Sequence, residues 1–252
     1  DGHSNTAVGA EAGDANTTGD YNVSLGMQAL TSDTTGSRST AIGAAALFTQ
    51  NFTGGTESYN TAVGFYAGVS VTTGIQNTVV GGLALDANTT ASNNTALGYA
   101  TLSANTTAAN NTAVGHKALI ANTTGAGNVA VGALTLDANT TGATNTAVGF
   151  AALSSNTTAP DNTAVGNSAL LANTTGTGHA ALGQSALAAN TTGTNNTGLG
   201  QVSLTTNTTG AANTGVGRAT LYYNTTGGDN TAAGVNALLS NTTGGQNTAV
   251  GA

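Results

Sequence analysis

The sequence predicts an all-β fold, a parallel β-solenoid or β-roll wound from 17-residue coils. Three observations predict it. The word N-T-A-V-G, or a close variant of it, recurs every 17 residues without slip from Asn60, Asn77 and Asn94 to Asn247. Every copy closes in glycine, from Gly9 to Gly251. A turn-forming word, N-T-T-G, follows at a constant offset in most copies. A period of this size marks stacked supersecondary units, and it fixes how every other pattern is read.

Alignment gives the consensus N-T-A-V-G-x-x-A-L-x-A-N-T-T-G-x-x, whose residues are positions 1 to 17 of a coil. Earlier starts fall at Asn5, Asn22 and Ser39, followed by one gap of 21 residues. Residues 1–252 therefore read as a single array of about fifteen coils with a four-residue insertion near residues 50–58. The last coil stops six residues in, at Ala252, so a longer fibre is expected.

Each position has a physical reading. The glycine at position 5, as in Gly98, Gly115, Gly132, Gly149, Gly166 and Gly183, is expected at a corner with positive φ or where backbones approach too closely for a Cβ. Position 4 is Val, Leu or Ile in fourteen of fifteen copies, and position 9 is Leu in twelve of fourteen. That regularity assigns Val8, Leu30, Val114 and Leu119 to a core stripe. N-T-T-G supplies turn chemistry, since Asn and Gly tolerate left-handed backbone. Each coil is thus expected to hold two short strands, T-A-V and A-L-x-A. No helical period survives a glycine corner and a turn in every 17 residues. Stacked at about 4.8 Å, fifteen coils would make a rod on the order of 70 Å long.

Strand side chains alternate between two faces, and here both faces are restricted. The stripe opposite the Val and Leu residues admits only Ala, Gly, Ser or Val in the first strand and Ala, Thr or Ser in the second. A stripe facing water would vary in size and charge. Packing of this second face between chains is therefore expected, giving a homotrimer, with a single-chain solenoid as the alternative.

Composition narrows the partners. Only 5% of residues are charged and the net charge is −7. Arg38, Lys117 and Arg218 are the only basic residues, too few to track a phosphate backbone, so nucleic acid is not expected as a partner. There is no cysteine for a disulfide. No stretch approaches the roughly 20 apolar residues of a membrane span, so membrane insertion of this segment is not expected. A Thr/Asn/Gly-rich, nearly uncharged surface suits an extracellular location. No basic-then-apolar signal opens the chain, so an export signal would lie outside this sequence.

The words "NTAVGHKAL", "STAIGAAAL" and "NTAVGNSAL" resemble the S-x-A-I-G-x-x-A-x-A words of YadA-like heads in trimeric autotransporter adhesins. Related arrays occur in bacterial surface proteins and phage tail-fibre-like proteins. The resemblance runs from Asn5 to Gly251. It implies a trimeric left-handed parallel β-roll, exposure on a bacterial surface or virion, and adhesion to a host-surface glycan or matrix protein. The 17-residue coil is longer than that family's usual one, and no coiled-coil stalk or membrane anchor is visible.

Candidate chemistry is sparse. His3, His116 and His179 occupy different repeat positions and read as surface residues. Asp14, Asp86 and Asp137 share position 10, but acid-free coils separate them, which argues against a calcium ladder. Ser and Thr have no recurrent His/Asp partner to activate a nucleophile, and the glycine words precede no helix that would bind phosphate. No catalytic, cofactor or metal residue is assigned. N-T-T also reads as a glycosylation sequon. Stacking would crowd such glycans, so Asn88, Asn105, Asn122, Asn139, Asn156, Asn173, Asn190, Asn207, Asn224 and Asn241 are expected to form a coil-to-coil amide ladder instead.

The irregular stretch from Phe48 to Tyr66 holds the insertion and five of the ten aromatics, Phe48, Phe52, Tyr59, Phe65 and Tyr66. Loops that break a regular scaffold often carry function, so these five form the candidate ligand loop, with glycan stacking as the expected chemistry. Deletion of four residues within Gly54–Glu57 is expected to leave stability nearly unchanged. Ice binding is the competing reading for a Thr-rich solenoid. Against it, T-A-V puts Val where a second outward Thr is wanted, and Val23, Val129 and Ala180 replace the first.

Overall fold

The structure, a computed structural model, describes residues 2–251. It is a β-solenoid of 17-residue coils with fifteen three-residue strands, from Thr6–Val8 to Thr248–Val250, and no helix among the described residues. The chain falls into two compact units, residues 1–127 and 128–252. The first contains seven strands, ending with Thr112–Val114, and the second eight, beginning with Val129–Val131. Within each unit consecutive strands pair in parallel and in repeat register. Thr95, Ala96 and Leu97 lie beside Thr112, Ala113 and Val114, and Thr146, Ala147 and Val148 beside Thr163, Ala164 and Val165. Equivalent residues therefore stack into columns.

The strand faces are the reverse of the sequence expectation. The middle residue of T-A-V points into the coil: Ala96, Ala113, Ala147 and Ala164 are fully buried. Thr and Val point outward. Val8 is 60% exposed and Val114 only half-buried, so these two are not core, whereas Leu30 and Leu119 are. Alternation separates two faces without saying which is inside; the width of the coil decides that. One three-residue strand and a tight turn enclose little volume, and the Leu at position 9 fills most of it. Only a small residue fits opposite. The restricted alanine stripe, expected to pack between chains, is thus buried within a single chain.

A-L-x-A is not a second strand. Its Leu residues sit at φ near +50°, as at Leu85 (51°), Leu102 (51°) and Leu153 (53°), and position 7 is also left-handed, as at Leu83 (56°). Every second residue from position 5 to position 9 has positive φ, so the N–H groups of this segment are divided between two neighbours. Gly81 and Leu83 donate back to the Val63 and Phe65 carbonyls (2.8 and 3.0 Å), while Leu85 and Ala87 donate forward to Thr101 and Ser103 (2.9 and 3.2 Å). The segment is bonded coil to coil as a strand would be, but it is compact enough to turn the chain. A bulky residue in this conformation costs roughly 1–2 kcal/mol. Full burial of each Leu contributes about 1.5–3 kcal/mol in the other direction.

Exceptions to the consensus compensate one another. Where Gly68 replaces the position 9 Leu, Val79 replaces Ala in the next strand and is fully buried; a Cβ on Gly68 would lie 4.0 Å from its Cγ2. Where Gly198 and Gly215 replace the strand Ala, position 8 enlarges to Ser203 and Thr220, whose hydroxyls bond at 2.7 Å. Close packing requires such volume exchange between neighbours.

The position 5 glycines have φ between 124° (Gly234) and 140° (Gly166), a region essentially restricted to glycine. Gly98, Gly115, Gly132, Gly149 and Gly183 lie within that range, from 130° to 136°. They also abut the next coil: a Cβ on Gly98 would meet the Gly115 carbonyl oxygen at 2.7 Å.

Candidate interaction surfaces

Three features could meet a partner or govern how one is met: two interior polar columns that fix the coils, the outward strand face, and the insertion.

Position 12 places Asn88, Asn105, Asn122, Asn139, Asn156, Asn173, Asn190, Asn207 and Asn224 fully inside, with Asn241 half-buried. Asn105 Nδ2 donates to Asn88 Oδ1 (3.2 Å) and to the Ala108 carbonyl (3.0 Å), and Asn122 repeats both bonds. In the second unit the same chain of amides runs from Asn139 to Asn241. The nine fully buried amides are engaged by the coils and are not accessible in the fold as glycan acceptors.

A second column, at position 1, is an addition to the sequence-based expectation. Asn94 N–H donates to Asn77 Oδ1 (3.0 Å) and Asn94 Nδ2 to the Ala108 carbonyl (3.1 Å), and most other coils repeat the scheme. Position 1 is Asn in thirteen of fifteen copies, a signal as strong as that at position 12. The exception His179 corrects its assignment to the surface, because it is 3% exposed. Its ring imitates the amide. Nδ1 accepts the Asn196 N–H (3.2 Å), and Nε2 lies 3.1 Å from Asn190 Nδ2, beside the Gly193 carbonyl. Burial pushes the ring below the usual imidazole range.

A folded pKa below the unfolded value of about 6.5 means the unfolded chain takes up the proton first. The stability present above pH 6.5 is then lost as pH falls through the folded pKa. We expect thermal melts between pH 7.5 and 4.5 to show this loss in the native protein and to lose that component in His179→Asn. An unchanged pH profile in His179→Asn would place the acid sensitivity elsewhere. His116, by contrast, is exposed and stacks on Tyr99 with centroids 5.8 Å apart, and His3 is exposed. Asp86 and Asp137 each accept a hydroxyl from the following coil, Ser103 and Ser154 (2.6 Å each).

The outward strand face carries a Thr column at position 2 and a Val/Leu/Ile column at position 4. Leu182 is 51% exposed and Val216 42%. In the second unit alone this face is roughly 10 Å wide and, at about 4.8 Å per strand, about 38 Å long. Across this face the apolar column runs beside the Thr column, so apolar and hydroxyl side chains alternate along each strand.

The insertion divides the five candidate aromatics instead of gathering them. Phe52 is 5% exposed and anchors the loop, and Phe48 is half-buried. Phe65 and Tyr66 are exposed and pack on each other, centroids 4.3 Å apart, at the corner of the next coil. Tyr59 joins a stack absent from the sequence-based expectation: the Arg38 guanidinium lies 5.1 Å from the Tyr21 ring centroid and 5.8 Å from that of Tyr59. Glu57 closes it, accepting from Arg38 Nε (3.0 Å) and from the Tyr59 hydroxyl (2.6 Å). The Tyr59 bond, then the Arg38 bond, holds the Glu57 carboxyl below its ordinary range. Tyr21, Arg38 and Tyr59 close three consecutive coils, so columnar stacking was the available signal.

Beneath the loop the polar column is rebuilt. Asp33, Gln50 and Val71 stand where Asn occupies position 12 elsewhere. Buried Asp33 accepts from the N–H groups of Gly36 (2.9 Å) and Phe52 (3.2 Å) and from Gln50 Nε2 (2.7 Å). Gln50 Nε2 also donates to Ser39 Oγ (2.7 Å), and its Oε1 accepts from Asn60 (2.8 Å). Ser58 N–H and the Thr56 carbonyl pair with Ser37 (2.9 Å each). The expected tolerance to deletion of Gly54–Glu57 is therefore revised, since Thr56 and Glu57 are bonded to the coil. Gly54 and Gly55 stand clear of it: a Cβ added at either would meet nothing within 4 Å.

No family model matches the sequence, and no curated protein or solved structure matches it significantly.

Proposed function

We propose that this chain is a structural and adhesive fibre segment, without enzymatic activity, that assembles as a homotrimer through its outward Thr/Val face. The observation that carries this reading is the outward column at position 4, half-buried to exposed and Val, Leu or Ile in fourteen of fifteen coils. Its regularity has no explanation inside the coil, because the side chains point away from it. Burial against identical columns explains it, since equal repeat spacing lets every coil meet its counterpart. The chain number of three, the adhesive role and display outside a bacterium or on a virion follow from the resemblance to YadA-like heads.

A second reading gains from one observation. Thr at position 2 points outward, so the face could order water as a single-chain ice-binding solenoid does. The Val column and the replacements Val23, Val129 and Ala180 interrupt the hydroxyl array. Light scattering at micromolar concentration separates the two readings. A mass of three chains is expected. A mass of one chain, together with thermal hysteresis above that of a control protein, would overturn the fibre reading in favour of the second.

A further inference from the structure

The insertion does more than interrupt the array. Its loop and the corner of the following coil enclose an open groove of about 520 Å³, lined by Asn51, Phe52, Thr53, Gly54, Thr56, Thr73 and Ile75. This lies within the 300–1,000 Å³ typical of small-ligand sites. None of the lining residues belongs to the outward strand face, so assembly through that face uses none of them.

The lining has a defined chemistry. It contains no charged side chain, and the nearby Glu57 and Arg38 are bonded to each other. Phe52 and Ile75 supply an apolar floor, while Thr53, Thr56 and Thr73 supply hydroxyls that both donate and accept. The Asn51 amide has a fixed orientation. Its Oδ1 accepts from the N–H (3.3 Å) and hydroxyl (2.9 Å) of Thr34, and its Nδ2 has no protein partner among the described residues. An anion would find no cation here, and a wholly apolar ligand would leave the hydroxyls and the amide unpaired. A ring with one apolar face and several neutral hydroxyls satisfies both parts of the lining.

We propose that this groove binds a neutral saccharide unit, with its apolar face toward Phe52 and Ile75 and its hydroxyls toward Asn51, Thr53, Thr56 and Thr73. This rests on the adhesive reading and names the contact within it. The rebuilt column of Asp33, Gln50, Ser39 and Asn60 holds the loop base, so the groove is formed before a ligand arrives and little ordering cost is left to binding.

The test uses the full chain on a panel of immobilised oligosaccharides ending in neutral hexoses or N-acetylhexosamines, with sialylated and sulfated glycans alongside. Binding to at least one neutral terminus is expected. Thr73→Val, which keeps shape and removes a hydroxyl, should weaken it about tenfold or more. Deletion of Thr53–Thr56, which restores the 17-residue spacing, should abolish it. Light scattering on each variant should return the parent mass, so that a groove defect is not confused with lost assembly. Binding confined to charged glycans, no binding to any glycan, or neutral binding that survives the deletion would each overturn the groove assignment. In all three cases an unchanged three-chain mass would leave the fibre reading standing.

Discussion

Gly166→Ala should destabilise the second unit by about 3 kcal/mol or more, lowering its melting temperature by on the order of 10 °C. Two independent costs combine. At φ +140° an alanine leaves the region open to L-residues, and its Cβ would lie 2.5 Å from the Gly183 carbonyl oxygen and 2.6 Å from the Gly183 carbonyl carbon. Both atoms are backbone, and the oxygen accepts the Ala186 N–H within its own turn (3.2 Å), so no side-chain rotation relieves the contact. Gly82→Ala is the control, because the nearest atoms to a Cβ there are 3.8 Å away. It should melt within a degree or two of the parent. Equal effects at the two positions would remove the special role of the position 5 corner.

Lys at two positions of the outward column should reduce the assembly from three chains to one. Leu182 and Val216 are the sites of choice because each is already substantially exposed, so the coil itself tolerates the change. In a seam between chains the same ammonium groups would be buried without partners, at a cost of several kcal/mol per ion. Light scattering reads the mass, and circular dichroism reads whether the coils persist. A three-chain mass in the double variant would show that assembly uses another surface.

Period, glycine corners and the parallel stack were legible in the sequence because each is written in residue identity at fixed spacing. Which strand face is inside was not. The T-A-V pattern gives Ala96 and Leu97 opposite sides, but only the width of the finished coil sends the smaller one inward. The left-handed Leu residues were also out of reach, since Leu85 and Leu102 disfavour that conformation locally and adopt it because the stack rewards it. At the candidate site, the irregularity of the insertion was visible, but its construction was not. Phe52 and Tyr59 look alike in sequence, yet one is a buried anchor and the other part of the Arg38 stack. At His179 the repeat column decides burial, and the ring chemistry of an isolated histidine is a poor guide beside it.

The amide columns also constrain how such a gene can change. At position 12 every amide-to-amide bond is donated to the preceding coil, so a whole coil removed from the middle of a unit leaves neighbours that still match. A coil one residue shorter would put Val where Ala must go and Thr where the column needs Asn. Tandem duplication or loss in steps of seventeen codons is therefore nearly silent to the fold, and recombination between copies can tune the length of the array in whole steps. Extra residues survive only by leaving the columns, as Gly54 and Gly55 do, which makes the turn beside position 14 the natural place for novelty to enter.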